Sequence, residues 1–276
     1  MGTSGSDRFR LALLAALSPV VVVIGFAAMV GTSLLTRRLG LRPMLVSAEL
    51  ALVLPGLLLA AFLAKAPAAS LGLRRIDSRT TLLSILAGAG LLGTSLGIFE
   101  VQYVFWRPPE GYLEAFRALH AALRPSGPLD AVVSVLAIAI VPALCEETLF
   151  RGLVLPPLAE FLGGPGGALV SAALFGAIHV DFAAGGSLYR VPFAFAIGLA
   201  LAALRLRTGS LFPSALAHAT LNTITFVAAP LTDDPAGGLP DPRPLLGASM
   251  LLAGAVASAV VIRAMRPSLT RAGMAA

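Results

Sequence analysis

Charge is what this chain has least of. Asp, Glu, Lys and Arg make up 12% of its 276 residues, where a soluble domain carries about a quarter. Beside 57% hydrophobic residues and a mean hydropathy of +0.90, that shortage excludes an ordinary soluble domain and indicates an integral membrane protein. Cysteine occurs once, as Cys145. An intramolecular disulfide and a thiolate metal cluster are therefore excluded, and Cys145 reads as a small apolar packing residue. The formal net charge of +6 includes no basic stripe interleaved with aromatics, which argues against a nucleic-acid partner. The chain has no HExxH run. It also lacks an internal repeat, which argues against a transporter built from two inverted halves.

What the chain has instead is apolar runs of crossing length. Eight are marked, at about 11–31, 44–64, 81–105, 129–150, 166–180, 188–204, 211–229 and 245–265, near the roughly 20 residues a helix needs to span. The first is too long for the apolar core of a signal peptide and reads as a retained span. The fourth runs on to Pro156–Pro157, where a helix is expected to break or kink. The fifth is short and can begin inside the membrane. Between the third and fourth, Tyr112, Phe116, Leu119 and Leu123 recur at helical spacing and predict a short amphipathic helix in the interface. The run "PLTDDPAGGLPDPRP" before the last span predicts a flexible acidic loop. With the N-terminus inside, eleven Lys and Arg flank the inner span ends and eight the outer ones, which places both termini in the cytoplasm.

Few ionisable or amide side chains lie deep in these runs: Glu49, Glu100, Glu146, Glu147, Arg151, His179, His218 and Asn222. Glu147 and Arg151, four apart on one helix face, read as an ion pair. Glu146, rotated by about 100°, has no cation three or four residues away. An unpaired carboxylate in such a setting is a candidate general base. Phe175 and His179 share one helix face, as do His218 and Asn222. Lipid offers these groups no hydrogen bonds, so the simplest solution is that they face one another in a shared, water-containing cavity. Glu49 and Glu100 read as interfacial or helix-terminal carboxylates. His120, on the interfacial helix, stands apart.

Three motifs stand in order here: "EETLFR" at 146–151, "FGAIH" at 175–179 and "HATLN" at 218–222. Over about 129–229 they resemble the EExxxR, FxxxH and HxxxN motifs of the CPBP intramembrane proteases. That family takes in CAAX prenyl endopeptidases, bacteriocin-processing and self-immunity proteins, and lysostaphin-resistance-like proteins with an abortive-infection domain. The resemblance implies an all-α polytopic protein of about eight helices around a polar cavity. It divides the chain into N-terminal helices with the interfacial helix (1–128), a catalytic core (129–229), and the acidic loop with the last helix (230–276). It implies peptide-bond hydrolysis near the C-terminus of a membrane-anchored or lipidated substrate. Glu146 and His179 would activate the water, His218 and Asn222 would stabilise the oxyanion, and Glu147, Arg151 and Phe175 would support them. No cofactor is expected. The alternative is one zinc ion held by Glu146, His179 and His218, as the name metalloprotease within the family suggests. High Ala, Gly, Arg and Leu content points to a GC-rich bacterial genome, hence to the inner membrane and to bacterial peptides or sorting tails ahead of prenylated proteins. A transporter or channel using the same cavity, and a catalytically silent scaffold, are the competing readings.

Overall fold

The computed structural model describes residues 5–63, 71–181, 187–228 and 241–267. These residues are helical apart from short connections and one antiparallel bridge between Asp181 and Ser187. In chain order the helices are α1 (Gly5–Thr36), α2 (Leu41–Leu63), α3 (Ser78–Phe105) and α4 (Glu110–Ala122). There follows α5 (Pro128–Val135), a π-helical segment π1 (Leu136–Ile140), α6 (Val141–Glu147), a second segment π2 (Thr148–Val154) and α7 (Leu155–Ala177). The chain closes with α8 (Val191–Thr208), α9 (Phe212–Ala228) and α10 (Pro244–Ala264). Most of the acidic loop expected before the last span lies outside the described residues.

The expected break at Pro156–Pro157 is not there: the helix runs through both prolines. Its physical reason is π2, which ends just before them. Widening to i→i+5 bonding, seen where Leu155 N–H reaches Phe150 O, makes room for the rings. In that register Pro156 would have donated to Arg151 O. That carbonyl accepts Arg205 Nε instead, at 3.2 Å. The other π segment likewise precedes a proline, Pro142.

The real break is at Gly163, whose φ of 78° and ψ of 159° lie in a region open essentially to glycine alone. Beyond it the chain folds back. Phe150 and Phe175 meet edge to face with centroids 5.1 Å apart, and Ser171 Oγ donates to Phe150 O at 3.2 Å. Neither contact could form along a straight helix. Gly167 is required at the turn, because a Cβ there would strike the backbone of Ala159. The fourth and fifth expected spans are thus the two arms of one hairpin. Six described stretches are long and apolar enough to cross a membrane, Pro128–Ala177 among them, and α9 with 17 residues is shorter than these. The protein is an all-α, polytopic membrane protein.

Two helix pairs flank a central group. On one side α1 packs on α2; α1 leans on π2 and α7, and α2 on α6 and π2. Their shared apolar cluster includes Val22, Leu52, Phe150 and Phe175. On the other side α3 packs on α10 so closely that a Cβ on Gly97 or Gly254 would enter the partner backbone. Lipid tails are as apolar as leucine, so such small-residue contact replaces the hydrophobic effect in joining helices. The second cluster joins α3, α8, α9 and α10 through Leu91, Leu201, Leu204 and Leu221. Between the clusters run α6, π2, α7, α8 and α9. The exterior carries Ile24, Leu35, Leu54, Phe62, Leu82 and Val256, while the interior holds Glu146, Glu147, Arg151, Arg205 and His218. Apolar outside and charged inside is the arrangement a bilayer selects.

Candidate active site

The site is built at the junction of α6 and π2. Glu147 and Arg151 are fully buried there. As their spacing implied, they pair, with Arg151 Nη1 3.1 Å from Glu147 Oε1. Arg151 Nη2 donates to Gly198 O on α8 at 3.0 Å, and its guanidinium lies 4.5 Å from the Phe175 ring centroid, a cation–π contact. One residue thus ties three helices together: π2, α7 and α8.

Across from this pair, α9 brings in His218. Its Nδ1 lies 3.0 Å from Glu147 Oε1, and its Nε2 lies 3.8 Å from Glu146 Oε2. Glu147, paired with Arg151, is an acceptor, so Nδ1 carries a proton and donates to it. That fixes the ring and turns Nε2 toward Glu146. The bridging of both glutamates by one histidine was not legible from spacing, because α9 lies some seventy residues further along the chain.

His179 ends the returning arm of the hairpin. Its Nδ1 donates to Phe175 O at 2.7 Å, which leaves Nε2 unprotonated when the ring is neutral. The Phe175 ring stands between the two histidines, 4.6 Å from His179 and 5.8 Å from His218. Since Phe150 and Phe175 face each other, going back four residues to Glu146 and on four to His179 sets these two at one level. Among the described residues they share no hydrogen bond. Asn222 sits one turn past His218 on α9, half-buried, and its amide makes no hydrogen bond among the described residues. The structure therefore joins Glu146, Glu147, Arg151, His218 and Phe175 by direct contact, and ranges His179 and Asn222 around them.

Glu100 fits the reading of a terminal carboxylate, since its Oε2 accepts the Arg243 N–H at the start of α10. Glu49 does not. It lies well inside α2, with Oε2 buried and unpartnered. Past His179, Tyr189 is buried against Phe99, Trp106 and Tyr112, closing that end of the bundle. Burial pushes the Tyr112 and Tyr189 phenols above their usual range. The α4 helix thus anchors through Tyr112, while His120 stacks on Phe116 at 4.1 Å and lies 6.0 Å from Phe226 of α9. As for a metal, no group of three or more His, Cys, Asp or Glu among the described residues is arranged to hold one. His218 Nδ1 is committed to Glu147 and His179 Nδ1 to a carbonyl, which leaves the Nε2 of each histidine open.

Residues 128–224 match the family model described as type II CAAX prenyl endopeptidase Rce1-like. The matched segment takes in all three motifs and every residue of the site just described, and it agrees with the family those motifs resemble. Comparison with curated proteins and with solved structures gives no significant match. The matched model describes a family of proteases, and the helices indicate an integral membrane protein.

Proposed function

We propose that this chain, which matches the type II CAAX prenyl endopeptidase Rce1-like model over residues 128–224, is an intramembrane endopeptidase that cleaves a membrane-anchored or lipidated peptide with a water activated by Glu146 and His179. The observation that carries the reading is His218, held by Glu147 through Nδ1 and facing Glu146 through Nε2 inside an apolar bundle. An ion pair locking two helices would need Glu147 and Arg151 only. A second glutamate, two histidines and an amide on the same set of helices would supply a base and donors, which amide hydrolysis requires.

In the first step Glu146 takes a proton from the water, while His179 Nε2 accepts a hydrogen bond from the same molecule. The water oxygen bonds to the scissile carbonyl carbon and the C=O pair moves onto oxygen. His218 Nε2–H and the Asn222 amide donate to that oxyanion. Glu146 then passes its proton to the leaving nitrogen, the C–N bond breaks and the carbonyl reforms. Glu147 keeps His218 oriented through Nδ1, and Arg151 holds Glu147 in place. No metal enters this scheme.

The test is cleavage of a fluorogenic farnesylated CAAX peptide, and of an unprenylated membrane-anchored peptide, by the purified protein in liposomes. Glu146→Gln should lower turnover by about 10²–10⁴ with peptide binding retained. Cleavage by Glu146→Gln at the wild-type rate would remove Glu146 from the role of base.

A further inference from the structure

The hydrolytic scheme leaves Glu49 on α2 unused. Its neighbours Ala48, Leu52 and Val53 are buried, and α2 packs against α6, so this face of the helix turns toward Cys145 and Glu146. On α2, Gly56 lies against Leu149 and Leu153 and Arg42 Nε donates to Ser134 Oγ, so Glu49, midway between, stands level with the stretch of chain that leads into Cys145 and Glu146. Glu49 Oε2 and Glu146 Oε2 are both buried, and neither has a hydrogen-bond partner. No cation pairs with Glu49 among the described residues, because Arg151 is taken by Glu147 and Gly198.

Two buried, unpartnered carboxyl groups in an apolar bundle are costly unless something hydrogen-bonds to them. His218 Nε2 stands 3.8 Å from Glu146 Oε2, beyond direct hydrogen-bonding distance, so Glu146 has polar neighbours but no bonded partner. A buried water takes two to four polar partners. We propose that Glu49 is a positioning residue for hydrolysis: its carboxyl group reaches in from α2 and holds the water that Glu146 deprotonates. This rests on the endopeptidase reading. Glu49 touches the water and takes no proton from it, so the bonds made and broken are unchanged. Its contribution is to fix the angle at which the water meets the substrate carbonyl, where a misplacement of about 1 Å can cost about 10²-fold.

The experiment compares Glu49→Leu, Glu49→Gln and Glu49→Asp with the wild type and Glu146→Gln, using the farnesylated peptide in liposomes. Glu49→Leu should lower kcat by about 10–10²-fold with KM nearly unchanged. Its melting temperature should be equal or higher, because a buried unpaired carboxyl group is gone. Glu49→Gln keeps a hydrogen-bonding head in place and should restore most of the rate. A wild-type kcat in Glu49→Leu, or equal losses in the Leu and Gln variants together with lower melting temperatures, would overturn the proposal and make Glu49 structural or idle. Should Glu49→Leu fail to fold, the other two decide. Glu49→Asp pulls the head back and should be markedly slower than Glu49→Gln, and equal rates refute the role. If Glu146→Gln is dead while Glu49→Leu is fully active, only the role of Glu49 falls. If the wild type and Glu146→Gln cleave alike, or neither cleaves, the endopeptidase reading falls and takes this one with it.

Discussion

Replacing Glu147 by alanine removes the one carboxylate that the buried Arg151 and His218 share. Arg151 is fully buried and cannot reach water. It would keep its bond to Gly198 O and its place over Phe175, so the guanidinium stays in position with its charge uncompensated. Breaking a buried pair in this way costs about 3–5 kcal/mol. His218 Nδ1 also loses its acceptor, a further ~1–3 kcal/mol if no water replaces it. For a chain of this size each kcal/mol lowers the melting temperature by about 2–4 °C, so the loss should be on the order of 10 °C. Cys145 supplies the assay. It is the sole cysteine and is buried, so a thiol-reactive dye reports opening of the bundle on heating in detergent. The double variant Glu147→Leu, Arg151→Met removes both charges at similar volume and should recover most of the loss. A melting temperature in Glu147→Ala within about 2 °C of wild type, or a double variant as unstable as the single one, would refute the claim that Arg151 depends on Glu147.

Other outcomes follow from the same geometry. Asn222→Ala should slow peptide cleavage by about 10²–10³ as an oxyanion donor is lost, while His120→Ala, whose ring bonds to Phe116 O and to neither glutamate, should change the rate little. EDTA or 1,10-phenanthroline should leave cleavage intact; loss of activity restored by added zinc alone would make Glu146 and the histidines metal ligands. Gly163→Ala forces a side chain into a backbone conformation of φ 78°. It should lower stability by about 1–3 kcal/mol, read as an earlier onset of Cys145 labelling.

The sequence by itself determined the membrane class, the identity of the polar residues and the pairing of Glu147 with Arg151. Each of these is a local property. Composition fixes the solvent a chain can tolerate, and residues four apart on a helix meet whatever surrounds them. The Gly163 reversal was only partly legible: the short fifth span showed in the hydropathy, but the prolines drew the break to the wrong place. A proline ends a helix only if the ring clash and the missing donor go unanswered, and here π2 and Arg205 answer both. Only the tertiary structure decided that His218 bridges the two glutamates and that Glu49 carries a buried, unpartnered oxygen on a helix packed against α6. These groups come from α9 and α2, far from α6 in the chain. Helix periodicity tells which residues share a face, but the face that meets another helix is set by packing, down to where a glycine lets two backbones touch. In a bilayer, where both sides of a helix can be apolar, hydropathy carries no mark of which side faces the protein.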